Sequence, residues 1–199
     1  MLKIGITGGI GSGKTIICKV FETLGVPVFY ADTVAKEIMV KDPVLVAGIK
    51  ETFGEESYDA DGKLQNKYIA GIVFNDQEQL AKLNALVHPA TFRAFDHWLA
   101  QLPQHTPYIL KEAALLFESG SYKTCDQSLL VLAPMETRIQ RVMNRDQVTE
   151  EQVKARMDKQ LSDEEKLKMA DFTILNNETD SLITQVLQLH HQFLNTLPS

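Results

Sequence analysis

The sequence predicts an α/β fold, a five-stranded parallel sheet with helices on both faces, and three observations carry that prediction. Five short apolar segments are separated by stretches of helical periodicity along the 199 residues. Two of them, YILKEAALLF (108–117) and SLLVLA (128–133), are apolar without alternation, as strands covered on both sides are. The segment at the N-terminus, Leu2 to Ile6, is followed at once by a glycine-rich run and then by a helix.

Taken in order, Leu2, Ile4 and Ile6 alternate as a strand, and Ile17, Val20, Phe21 and Leu24 recur at helical spacing until Gly25 stops the helix. VPVFYAD (26–32) gives a second strand ending at Asp32. A helix from Thr33 is interrupted near Asp42-Pro43 and ends around Phe53-Gly54, and the polar loop GEESYDADGKLQN turns at Asp61-Gly62. Residues 67–102 read as helix again, marked by Leu80, Leu83, Val87, Phe95 and Leu102, with a break expected at Pro89. This block is too long for a simple crossover. It predicts a helical subdomain, 33–102, inserted into a core of 1–32 and 103–199 and carrying an acceptor site. Past the third and fourth strands, Pro134 opens a helix to about Asn144, and Thr149–Gln152 and Ser162–Glu165 have capping-box spacing. FTILN (172–176) is the last strand, and Leu182, Val186, Leu189 and Phe193 give the closing helix one apolar stripe.

Within GITGGIGSGKT (5–15), Gly8, Gly13, Lys14 and Thr15 satisfy the pattern G-x-x-x-x-G-K-[ST], with the strand before and the helix after that it requires. So many glycines forfeit backbone order, which only an unusual backbone path repays. In a P-loop that path turns N–H groups onto nucleotide phosphates, at a helix terminus whose dipole favours anions. The run Gly8, Gly9, Ile10, Gly11, Ser12, Gly13, Lys14, Thr15 and Ile16 is then the ATP site. Lys14 reaches the β- and γ-phosphates and the Thr15 hydroxyl holds Mg²⁺. The fold expected is therefore that of a P-loop NTPase.

Ligands of open α/β sheets bind beyond the carboxyl ends of strands, where Asp32 stands. Its carboxylate can take the proton of an attacking hydroxyl, help to hold Mg²⁺, or cap the helix starting at Thr33. Asp59 and Asp61, beside Gly62, read as turn residues. Arg138, Arg141 and Arg145 share a helix face and repel one another unless a polyphosphate lies opposite, so a lid over about 135–165 carrying Arg141 and Arg145 is predicted. The plainer reading is a solvated face beside Glu136 and Asp146. Glu112 and Glu118 fall near the sheet edge, as ligands of Mg²⁺ or substrate or as caps; His88 reads as a packing or cap residue.

The composition excludes several classes. With 44% hydrophobic and 23% charged residues the chain is globular, and a net charge of −6 opposes broad nucleic-acid binding. No apolar run approaches a membrane span and the N-terminus has no signal-like apolar stretch, so a cytoplasmic protein is expected. Cys18 and Cys125 have neither disulfide-framework nor zinc spacing. The oligomeric state is left open and a monomer is compatible with the sequence.

Over nearly its whole length the chain resembles the dephospho-CoA kinase family. The carriers are TGGIGSGKT (7–15), AD (31–32) followed by VAKE, FG (53–54), DGKL (61–64), VF (73–74), HP (88–89), LLFESG (115–120), QRVMNRD (140–146), Gln160, Lys166, AD (170–171) and Asn176. The resemblance implies phosphorylation of the ribose 3′-hydroxyl of dephospho-CoA by ATP with Mg²⁺, the last step of coenzyme A biosynthesis. By the same resemblance Asp32, Lys14 and Arg141 would be catalytic, with Asp32 on the acceptor hydroxyl and Thr15 and Asp32 on the metal. Arg141 and Arg145 would bind the ATP phosphates, Asn176 would hold adenine, and His88 and Glu118 would face the acceptor. The chain departs from the family pattern at Tyr30, at Gln65-Asn66 and at Ala114. Two alternatives stay open: another small-molecule or nucleotide kinase, and a nucleotide-dependent switch ATPase. The latter carries Mg²⁺ on an aspartate closing an apolar strand, and SLLVLAP ends without one.

Overall fold

The computed structural model describes residues 1–74 and 76–196. The chain divides into two compact units, Met1–Tyr30 with the chain from Pro103 on, and Ala31–Leu102. It begins with β1 (Leu2–Thr7), α1 (Lys14–Thr23) and β2 (Val28–Tyr30). The second unit holds α2 (Ala31–Lys41), α3 (Pro43–Phe53), α4 (Asn66–Val73) and α5 (Gln77–Ala100). The first unit resumes with β3 (Tyr108–Glu112), β4 (Gln127–Leu132), α6 (Met135–Asp146), α7 (Glu150–Met157), α8 (Asp163–Met169), β5 (Phe172–Leu175) and α9 (Leu182–Asn195).

The five strands form one parallel sheet in the order β2-β3-β1-β4-β5, as the sequence predicts. β1 is central, with Ile4 opposite Leu110 on one side and Gln127 on the other. The chain winds first to the β2 side and then to the β4 side, so the strand order reverses at β1. A crevice is thereby left beyond its carboxyl end, where the glycine run begins.

Alternation along the buried strands selects the faces. Ile4, Ile6, Tyr108, Leu110, Leu129, Val131 and Ile174 share one core with Ile17 and Phe21 of α1 and with Val186 and Phe193 of α9. The rings of Phe21, Tyr108 and Phe193 lie 5.4 to 6.4 Å apart, and Phe193 is fully buried, so truncating it to alanine should cost about 3–5 kcal/mol. On the opposite face Gly5 lies against Leu116 and Cys125, and α8 packs on β4.

The second unit has its own core, in which Leu45, Ile49 and Phe53 of α3 meet Ile69 of α4 and Ala90 of α5. Asp42 separates α2 from α3 by accepting from Val44 N–H (2.9 Å) and Leu45 N–H (3.1 Å), which, led by the Leu45 bond, holds its carboxyl below the usual range. Asp76 caps α5 in the same way, so residues 67–102 form two helices rather than one.

Three expectations are corrected. α5 runs through Pro89 unbroken, because Leu83, Leu86, Val87 and Ala90 on either side of it are anchored in the same core. β3 ends at Glu112 instead of reaching 117: the N–H of Ala113 still reaches Ile6 O (3.1 Å), but β1 then gives way to the glycine run and no ladder partner remains. The second strand stops at Tyr30, so Asp32 lies exposed in the first turn of α2 and not in a strand-end loop. Both capping boxes are present. α6 continues to Asp146, two residues further than read, because Gln147 adopts a left-handed cap at φ 54°.

Candidate active site

The glycine run leaves β1 and enters α1 at Gly13, whose φ of 93° lies in the left-handed region. A Cβ there would strike the side-chain amide of Asn176, and one at Gly8 would strike the backbone carbonyl of Val131 in β4. Glycine is thus required twice, once by dihedral and close approach together and once by the neighbouring strand.

What distinguishes the run is where its carbonyls go. Gly8 O accepts from Lys14 Nζ (2.9 Å), Gly9 O from Ser12 N–H (3.0 Å) and Ile10 O from Arg138 Nε (3.1 Å). Gly11 O accepts from Arg141 Nη1 (3.4 Å), Ser12 O from Asn176 Nδ2 (2.7 Å), and Gly13 O from Ile16 and Ile17 N–H (3.0 and 3.3 Å). Every carbonyl from Gly8 to Gly13 is therefore held by a donor. In a trans peptide the C=O and the following N–H point in opposite directions. Asn176, by holding Ser12 O, turns the Gly13 N–H away from itself, and neither Gly11 nor Gly13 N–H has an acceptor among the described residues. Two alternate N–H groups so released, at the start of a helix with no acidic residue in its first turn, are an arrangement of the kind that suits an anion.

Lys14 is buried with its ammonium folded over the loop, while Thr15 and Ile16 are exposed at the start of α1. Thr15 follows Lys14 in the first turn of α1, and the Ser12 hydroxyl is buried within the loop. The three arginines expected to act together have different surroundings. Arg138 is buried and ion-paired to Asp163 (2.7 Å); Arg141 reaches the loop and also Asn176 Oδ1 (3.4 Å). Arg145 is exposed and forked onto Asp146 (2.7 and 3.1 Å), a carboxylate that Arg156 also holds at 2.7 Å. The Arg145 and Arg156 bonds push the Asp146 carboxyl down to about 2, and Arg145 is raised in turn.

The remaining candidates are dispersed. Glu118 Oε1 accepts from Leu161 N–H (2.9 Å) and lies 3.1 Å from the fully buried Lys166 Nζ, whereas Oε2 is buried without a hydrogen bond. Glu112 closes β3 in register with Ile6 and Tyr30, and burial is the main reason that the Tyr30 hydroxyl is raised. In the second unit, Asp32 is exposed on α2 and His88 is half-buried on α5, its pKa lowered by burial. Asp59 Oδ1 accepts from Asp61 N–H (3.0 Å) and Lys63 N–H (2.9 Å), a self-contained turn.

Sequence reasoning missed two residues that hold the loop, Arg138 as a carbonyl donor and Gln160. Gln160 Oε1 accepts from Ile10 N–H (2.8 Å) while its Nε2 donates to Ala114 O (3.3 Å). Gln160 stood among the residues that carry the family resemblance, but nothing local in the sequence, a glutamine two residues before a capping box, gave its amide a partner. Among the described residues no group of three or more His, Cys, Asp or Glu could hold a metal, and no helix is long and apolar enough to cross a membrane.

The comparisons with known proteins give the family and the fold. A curated dephospho-CoA kinase of Chlorobaculum tepidum is 40% identical over 98% of this chain and 97% of its own length. The crystal structure of TT1252 from Thermus thermophilus superposes with a TM-score of 0.84 at 34% identity, covering 100% of this chain and 98% of that one. The dephospho-CoA kinase from Campylobacter jejuni gives a TM-score of 0.71 at 27% identity, covering 97% of each chain. With the dephospho-CoA kinase family model matching residues 2–181 as well, the chain belongs to the dephospho-CoA kinase family, the P-loop kinases that catalyse the final step of coenzyme A biosynthesis.

Proposed function

We propose that this chain transfers the γ-phosphoryl group of ATP to the ribose 3′-hydroxyl of dephospho-CoA, with the roles divided among its residues as follows. The glycine run from Gly8 to Gly13, together with Thr15 and Ile16 at the start of α1, binds the ATP phosphates through backbone N–H groups, and Lys14 neutralises charge on the transferring group. Arg141 and Arg145 bind the polyphosphate from a lid of about residues 135–165; Arg145 exchanges Asp146 for phosphate when it does so. Asn176 sits near adenine as well as bracing Ser12. Residues 33–102 take up the acceptor, with Asp32 receiving the proton of the attacking hydroxyl. His88 and Glu118 are each assigned to the acceptor, as the resemblance implies.

A hard divalent cation fits the donors present. Thr15 would supply a hydroxyl and Asp32 a carboxylate, hard oxygen donors of the kind that hold Mg²⁺ together with nucleotide phosphates. Bound there, Mg²⁺ supplies charge neutralisation on the β- and γ-phosphates. ATP and dephospho-CoA are the partners proposed, with no nucleic acid or membrane, and the cytoplasm as the compartment.

The observation that carries this reading is the capture of every carbonyl from Gly8 to Gly13, which turns the N–H groups of Gly11 and Gly13 the other way as donors. A panel assay of ADP release with Mg-ATP tests it. Dephospho-CoA should be phosphorylated at the 3′ position, read by mass spectrometry and nuclease mapping, and adenosine, with the same ribose but no pantetheine arm, should react far more slowly. Equal rates for the two would replace this reading with that of a general nucleoside kinase.

A further inference from the structure

One residue of the glycine run is fixed from outside the loop, in both of its peptide units, by a segment that binding of phosphate does not by itself require. Ile10 is held at both ends: its N–H by Gln160 Oε1 at 2.8 Å, its carbonyl by Arg138 Nε at 3.1 Å. Each holder is itself oriented. Gln160 donates its other amide atom to Ala114 O (3.3 Å), which fixes which end of the amide faces Ile10, and Arg138 Nη1 is ion-paired to Asp163 Oδ2 at 2.7 Å. Gln160 and Asp163 both belong to the short connection between α7 and the first turn of α8.

We propose that Arg138 and Gln160 are positioning residues for the Gly11 N–H, Arg138 by holding the peptide that carries it and Gln160 by fixing the preceding peptide across the Ile10 Cα. Holding Ile10 O towards Arg138 turns the next N–H, that of Gly11, to the opposite side of the peptide plane. Gly11 can adopt the needed φ of 79° only as glycine, and a Cβ on it would meet the backbone of Arg138 itself, so α6 and the loop are fitted to each other at this point. The hold combines these hydrogen bonds with packing of the Ile10 side chain against Ile139, Val142 and Val153. A cleft of about 490 Å³ runs along the connection, lined by Met135, Arg138, Met157, Gln160, Leu161 and Asp163 among others. The affinity of the loop for a nucleoside di- or triphosphate therefore depends on whether residues 160–163 are docked, a dependence that Lys14 and Thr15 do not share. The ligand of this loop is taken from the function proposed above, on which the inference rests.

The test is calorimetric binding of ATP, ADP and AMP to the full chain carrying Arg138→Met or Gln160→Met, alongside Lys14→Ala and the unmodified protein, with unfolding midpoints in urea. Loss of one oriented donor should weaken ATP and ADP about tenfold and AMP less than about twofold, the scale of a single hydrogen bond to a charged group. The KM for dephospho-CoA should stay unchanged, and the double variant should lose little more than the worse single one, since both hold the backbone of one residue, Ile10. A merely structural role would lower the urea midpoint but leave the ATP to AMP affinity ratio where it was, and that outcome overturns the proposal. If Arg138→Met does not fold, Asp163→Asn loosens the same guanidinium more gently and should shift the ratio in the same direction; an unmoved ratio there overturns the proposal equally. Failure of the unmodified protein to bind ATP would instead refute the underlying site, whereas ATP binding lost in Lys14→Ala but untouched in the other variants would refute this inference alone.

Discussion

The turn at residues 59–65 and the glycine run at 8–15 are both polar, glycine-bearing loops, yet they are hydrogen-bonded in opposite senses. In the first, the Asp59 carboxylate gathers donors, accepting from Asp61 N–H, Lys63 N–H and Gln65 Nε2. In the second, donors from Lys14, Arg138, Arg141 and Asn176 gather carbonyls. A loop that satisfies its own N–H groups has none left to offer an anion. One whose carbonyls are satisfied from outside has its N–H groups to spend, and the lesson is that the direction of saturation, more than glycine content, makes a phosphate site.

The largest expected effect contrasts carboxylates. Asp32→Asn cannot take a proton, so turnover should fall on the order of a thousandfold while ATP still binds, whereas Asp59→Asn and Asp61→Asn should leave turnover intact. A collapse on Asp61→Asn with Asp32→Asn active would move the chemistry to the turn. Next comes Lys14→Ala, expected to lower kcat by about a hundredfold or more with little change in the urea midpoint, because the loss is of charge stabilisation and not of core. Near-normal turnover in that variant would remove the glycine run from the mechanism.

The two loops can also be compared at their glycines. Gly62 has a φ of 75° and open space around it, so Gly62→Ala should cost only the left-handed penalty, about 1–2 kcal/mol, without touching nucleotide affinity. Gly13→Ala carries the same penalty and must also displace the Asn176 amide, so it should be less stable than Gly62→Ala in urea and weaker for ATP. Equal behaviour of the two would show that Asn176 is not what holds the loop.

The smallest effect lies away from both loops and serves as their control. The Tyr108 hydroxyl is 2.6 Å from His190 Nδ1, and burial, with His191 next to it, lowers the His190 pKa below 6.5. The unfolded chain then takes up this proton first as pH falls, so the stability from this contact is complete above about pH 6.5 and is lost as pH drops through the lower folded pKa. Melting temperatures measured from pH 7.5 down to about pH 5 should fall, and His190→Gln should flatten that slope. A slope unchanged by the substitution would assign it elsewhere.

Much of the fold was legible because its signals are local. Thr149 with Gln152 and Ser162 with Glu165 close their capping boxes within one turn, Asp42 halts α2 through bonds two and three residues ahead, and the apolar pattern of β1 and α9 follows from period alone. The motif from Gly8 to Thr15 was legible for the same reason, since a short backbone path needs adjacent glycines. Where those residues find their donors was not. Arg138 meets Ile10, Gln160 meets Ile10, and Asn176 meets Ser12 across 128, 150 and 164 residues of chain. Helix spacing grouped Arg138, Arg141 and Arg145 on one face, but Asp163, the loop and Asp146 divided them. Likewise Pro89 stays helical because its neighbours are buried, although its own chemistry argues for a break. Period and capping depend on bonds within a turn, which the sequence spells out. The partner of a long polar side chain depends on which distant backbone the folded sheet brings within reach, and only the tertiary structure decides that.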